Sequence, residues 1–107
     1  MIMEKVASTK DELKIDAIQL KKAALVFRAI NHKLRQQIIR FIHQNGKITV
    51  TQIYVKLRLE QSVASQHLAI LRKAGFVSTE REGKFIYYSI NQDRISEVHR
   101  VAYELLK

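Results

Sequence analysis

The apolar residues of this chain change their spacing at Gly75, and that change constrains the fold more than any other feature. Up to Gly75 they recur at three- and four-residue steps, the repeat of a helix resting on a core. From Val77 to Ile90 they alternate, the repeat of a strand with one face covered. A chain with this pattern is a set of helices followed by a hairpin. At 107 residues it has room for one domain, so residues 1–107 are read as a single unit. There is no proline, and Gly46, Gly75 and Gly83 are the three main breaks.

The spacing predicts a first helix from about Asp11 to Ile30, with Leu13, Ala17, Leu20, Ala24, Phe27 and Ile30 on one stripe. A second runs from Lys33 to Gln44, with Leu34, Ile38, Phe41 and Ile42 inward and Asn45-Gly46 as its stop. Lys47-Ile48 is a short extended piece. Thr49-Val50-Thr51-Gln52 then has the form of a capping box, opening a third helix to about Leu57 with Val50, Ile53 and Leu57 buried. Arg58-Leu59-Glu60 turns into a fourth helix that ends near Ala74. Val77–Glu80 and Phe85–Ile90 are strands joined across Gly83. Asn91 or Asp93 caps a last helix carrying Ile95, Val98, Val101, Ala102, Leu105 and Leu106. The fold class this implies is mainly α with a small β-hairpin: a winged helix-turn-helix with one helix added at each end. The helix-turn-helix covers residues 50–74 and the wing residues 77–90.

Charge is distributed unevenly along this frame. The net formal charge is +9. Residues 21–84 hold thirteen Lys or Arg against Glu60, Glu80 and Glu82, while both ends are close to neutral. A basic centre suits a polyanion such as nucleic acid, because neutralising phosphates releases condensed counterions. The absence of cysteine excludes disulfides and thiolate metal sites. The apolar runs are too short for a membrane span, and Met1 to Lys10 lacks the continuous apolar stretch of a signal peptide, so a cytoplasmic protein is expected. An enzyme is not expected: there is no Gly-rich phosphate loop, no cysteine nucleophile and no acid–base pair.

The fourth helix divides by geometry. Ala64, Leu68 and Leu71 must face the core, which leaves Gln61, Ser62, Ser65, Gln66, Ala69, Arg72 and Lys73 outside. In a helix-turn-helix the second helix enters the major groove. Gln61, Ser62, Ser65 and Gln66 are therefore the candidate base readers, since Gln pairs with adenine and Ser donates or accepts. Candidate backbone contacts are Lys47, Thr49 and Thr51 at the start of the third helix, Arg72 and Lys73 on the fourth, and Arg81 and Lys84 at the wing. Thr49 is equally explained as a cap alone.

These segments together resemble the arsenical-resistance-repressor (ArsR) family of bacterial regulators over roughly residues 20–92. The match runs through Ala29-Ile30-Asn31-His32-Lys33-Leu34-Arg35, Ile48-Thr49-Val50-Thr51-Gln52-Ile53, Gln61 to Val77, and Arg81-Glu82-Gly83-Lys84-Phe85-Ile86-Tyr87-Tyr88-Ser89-Ile90. The resemblance implies a homodimer built from the first and last helices, a palindromic operator on double-stranded DNA, and repression relieved by an effector. The dimer also follows from area: a winged-helix core cannot cover two long apolar stripes at residues 10–30 and 93–106. Leu13, Ala17, Leu20, Val98, Val101 and Leu105 are the expected interface residues.

The chain departs from that family where many members bind metal. Val50-Thr51-Gln52-Ile53-Tyr54 offers no thiolate or carboxylate, and Asp93 with His99 supplies too few ligands on the last helix. No metal and no cofactor are expected. His67 is read as a packed histidine donating to a nearby acceptor, and His32 and His43 as flanking the second helix without partners. Glu60 stands where a Ser or Thr cap is common. The rival readings are a winged helix that binds DNA or RNA without sequence choice, a metal-sensing repressor, and a protein-interaction domain that has lost DNA binding.

Overall fold

The computed structural model describes residues 12–107. Five helices and three strands follow one another as α1 (Ala17–Ile30), α2 (Lys33–Asn45), β1 (Lys47–Thr49), α3 (Val50–Lys56), α4 (Gln61–Lys73), β2 (Val77–Glu82), β3 (Phe85–Ile90) and α5 (Gln92–Leu106). The strands form one antiparallel sheet in the order β1-β3-β2. This is the winged helix-turn-helix that the periodicity implies. No helix among the described residues is long and apolar enough to cross a membrane.

The core sits where α2, α3 and α4 meet the sheet. Ile38, Ile42, Ile53, Leu68, Leu71 and Phe76 are fully buried there. Phe76 reaches the centre because the chain reverses at Gly75, whose φ of +86° is cheap only for glycine. A Cβ at Gly75 would also stand 3.0 Å from the Arg94 side chain, which would have to shift slightly to admit it. The Asn91 amide closes this corner by donating to the Gly75 carbonyl at 2.9 Å, while its oxygen caps α5 at the Arg94 N–H.

Four expectations need correction. The first helix begins at Ala17, not near Asp11. The Asp16 carboxylate accepts from the Gln19 N–H and caps the helix there, and residues 12–16 precede it without helical structure. Leu13 is in step with the helical stripe but is left exposed, so its spacing alone does not extend the helix. The part of that expectation that falls on Lys10 and Asp11 lies outside the described residues. The wing is longer than expected: β2 continues to Glu82, because Arg81 pairs with Ile86 and Glu82 with Phe85, leaving Gly83-Lys84 as a two-residue turn. Lys47–Thr49 is a third strand, paired with Tyr87–Ser89 of β3, rather than an isolated extended piece.

The fourth correction concerns the histidines. His32 has a partner after all: its Nδ1 accepts from the Leu34 and Arg35 N–H groups and caps α2. His67 accepts rather than donates at Nδ1, since the group 3.2 Å away is the Arg35 guanidinium, which has only donors.

Candidate nucleic-acid interface

The second helix of the helix-turn-helix is α4. Ala64, Leu68 and Leu71 are buried, as their spacing requires. At about 100° per residue, Gln61, Ser62, Ser65, Gln66, Ala69, Arg72 and Lys73 fall on the opposite arc, and all of them are exposed. Their side chains thus form one polar, basic strip about three turns long. The strip carries no carboxylate. Glu60 precedes it as a cap residue whose side chain makes no capping bond.

The turn that aims α4 is set locally. Arg58 adopts a φ of +57°, a left-handed conformation rare outside glycine, and the Leu59 N–H returns to the Tyr54 carbonyl at 2.9 Å. Upstream, Thr49 and Gln52 complete the expected capping box: the Thr49 hydroxyl accepts the Gln52 N–H, and the Gln52 side chain accepts the Thr49 N–H. The Thr49 hydroxyl is therefore committed to the cap, while Thr51 is exposed on the first turn of α3.

The wing carries Arg81 and Lys84, both exposed at its end. The Arg81 Nε donates to the Gly83 carbonyl at 3.2 Å, which holds the guanidinium beside the turn. Lys84 lies over the Phe85 ring, 5.5 Å from its centroid. Lys47 is drawn away from α3 toward the wing. It pairs with Glu82, lies 3.9 Å from Glu80 and sits 5.1 Å from the Tyr87 ring. The hydrogen bond to Glu82 raises its pKa further above the ordinary lysine value. This pairing offsets part of the charge of the two wing carboxylates, which remain exposed beside Arg81 and Lys84.

Beneath the strip lies a group that the sequence reading missed. Arg35 is only 7% exposed. Its Nε donates to the Ala29 carbonyl at 2.6 Å, one terminal nitrogen to the Arg28 carbonyl and the other to His67 on α4, both at 3.2 Å. One side chain thus fastens the end of α1 and the back of α4 to the start of α2. The signal was present: Arg35 stands one step before Ile38, Ile39 and Ile42 on the inward stripe of α2. His67 lies 5.0 Å from the His32 ring, and burial, with His32 and Arg35 beside it, pushes its pKa below the ordinary histidine value.

The expected interface residues divide into two groups. Leu13, Ala17, Leu20 and Leu105 are exposed, as are Ile18, Tyr103 and Leu106. Val98 and Val101 are half-buried, and Val98 packs in part against the core of its own chain. Asp93 and His99 are exposed on α5. Among the described residues, no three His, Asp or Glu side chains come together.

Residues 32–79 match the sequence pattern of the family described as bacterial regulatory proteins of the arsR family. An uncharacterised helix-turn-helix-type transcriptional regulator of Methanocaldococcus jannaschii is 37% identical over 84 residues, which is 78% of this chain and 94% of that protein. The transcriptional repressor PagR of Bacillus anthracis is 33% identical over 79% of this chain and 85% of its own length. Its crystal structure superposes with a TM-score of 0.64, covering 81% of this chain and 99% of PagR. The transcriptional activator HlyU of Vibrio cholerae is 30% identical over 78% of this chain and 77% of its own length.

Proposed function

The chain belongs to the arsR family of bacterial regulatory proteins, and from that premise and the geometry of α4 we propose that it is a sequence-specific DNA-binding transcriptional regulator acting as a homodimer, in the sense of a repressor. Gln61, Ser62, Ser65 and Gln66 read base edges in the major groove. Thr51, Arg72, Lys73, Arg81 and Lys84 hold the phosphate backbone. Thr49 and Lys47 contribute through the cap and the wing pair rather than as free contacts.

The observation that carries this reading is the carboxylate-free outer arc of α4, exposed along its whole length above a fully buried inner face. A twofold pair joined through α1 and α5 would cover the exposed Leu20, Leu105 and Leu106 and present two copies of α4 about 34 Å apart, one turn of duplex. Occupying a near-palindromic promoter site in this way blocks polymerase.

Selection of binding sites from random duplexes tests it. The wild type should enrich a two-fold symmetric motif, and Gln66→Ala should relax one position in each half-site. Lys84→Ala should weaken all sequences alike and reduce the slope of log affinity against log salt by about 1. An unaltered motif from the Gln66 variant would remove its base-reading role.

A further inference from the structure

Arg35 is a buried cation whose partners among the described residues are all neutral. Buried charges in folded proteins are as a rule paired, because an uncompensated ion is costly away from water. Here the three acceptors are two carbonyls at the end of α1 and a histidine nitrogen. The carbonyls at a helix C-terminus carry roughly half a negative charge in total, so the guanidinium is only partly neutralised. The ion pairs among the described residues involve Lys47, Arg94 and Lys107 instead.

The same guanidinium forms part of the wall of a groove of about 640 Å³ between α1 and α4. That is the size of a site for a small organic molecule. Leu25, Val26, Ile70 and Ala74 give it an apolar surface, and Leu25 and Ile70 are 51% and 42% exposed. Lys22, Arg28 and Lys73 complete the lining, with no carboxylate among the residues that form it. An apolar trough with four cations and no anion is complementary to one kind of molecule.

We propose that this groove binds a small amphipathic anion, a carboxylate on an apolar chain or ring, with its charge toward Arg35 and its hydrocarbon along Leu25 and Ile70. The groove lies on a different side of α1 from the dimer stripe. Lys22, Leu25, Val26 and Ala29 are centred roughly 160° around the helix from Ala17, Leu20 and Ala24, so a second copy seated on the stripe leaves the groove uncovered. Binding rests on the geometry alone. Its role as the signal that controls operator affinity rests on the DNA-regulator reading. Ile70 and Lys73 belong to the same helix as the base readers, so an anion held by Lys73 competes with a phosphate contact. Ligand and duplex then weaken each other by the same factor.

Calorimetric titration of the full chain with decanoate, decanol and inorganic phosphate tests the site. Decanoate should bind, with decanol and phosphate each weaker by about tenfold or more. Leu25→Glu, at an exposed position, should weaken decanoate by a similar factor while leaving the unfolding midpoint unchanged. Equal binding of decanol and decanoate, or undiminished binding to the Leu25 variant, overturns the proposal. So does a change from dimer to monomer in that variant by sedimentation, which would make the groove an interface between copies. A labelled duplex added to the same samples separates the two readings. Binding of duplex without decanoate removes the groove proposal alone, and binding of decanoate without duplex keeps the groove and removes the regulator.

Discussion

The middle of the molecule and its two terminal helices use the same apolar residue types to opposite effect. In α2, α3, α4 and the sheet, Ile38, Ile42, Ile53, Leu68, Leu71 and Phe76 are fully enclosed within the chain. In α1 only Ala29 is buried, and in α5 nothing is. Yet α5 is strongly amphipathic in sequence, and Tyr103, Leu105 and Leu106 are left at 63%, 73% and 86% exposure. The difference teaches where the fold is self-sufficient. The centre meets its own needs and positions α4, whereas the ends carry apolar surface that the other described residues leave uncovered.

The sharpest way to break this contrast is to cut into the centre. Phe76→Ala should cost about 3–5 kcal/mol, read as a lower urea midpoint, because it empties a fully enclosed site. A cost below about 1 kcal/mol would mean that the centre is not the closed unit described. At the ends, Leu20→Glu combined with Leu105→Glu should raise the dimer dissociation constant by about 100-fold or more in sedimentation. The circular dichroism spectrum of the dilute monomer should not change. Loss of helix in that variant would show instead that the terminal stripes hold up their own chain. A smaller effect is expected at the capping box: Thr49→Ala should cost about 1 kcal/mol in the same urea titration, and no change would mean that α3 is held by packing alone.

The smallest effect is one of pH. The pKa of His67 is lowered in the folded chain, so near its ordinary value of about 6.5 the unfolded chain binds more protons. The stabilisation from neutral His67 is present above that value and is lost as pH falls through the lowered one. The urea midpoint should therefore drop as pH falls below about 6.5, and His67→Gln should flatten the drop. His32 and Arg35 remain in that variant, so the difference isolates His67. An identical pH profile in the two proteins would contradict the assignment.

How far the sequence reveals this molecule depends on the range of each contact. The Thr49–Gln52 box, the inner triad of α4 and the break at Gly75 each involve residues within a few positions of one another, and spacing alone locates them. The start of α1 is set by the Asp16 cap, a local signal that competes with the apolar stripe continued by Leu13. The link from Arg35 to His67 spans 32 positions and that from Lys47 to Glu82 spans 35. Such contacts follow from how the helices and the wing come together, and no local pattern announces them. The outer arc of α4 was legible because removing its core residues from the helix leaves only one face for the rest.

Cross-linking from the outer arc itself gives the most direct measurement. The chain has no cysteine, so Ser65→Cys can carry a unique photoactivatable group, with Gln44→Cys on the exposed end of α2 as a control. From Ser65 the reagent should attach to bases in the major groove, at two symmetry-related places on a selected duplex. Attachment only to backbone sugars, or equal yields from Gln44, would contradict a base-reading α4.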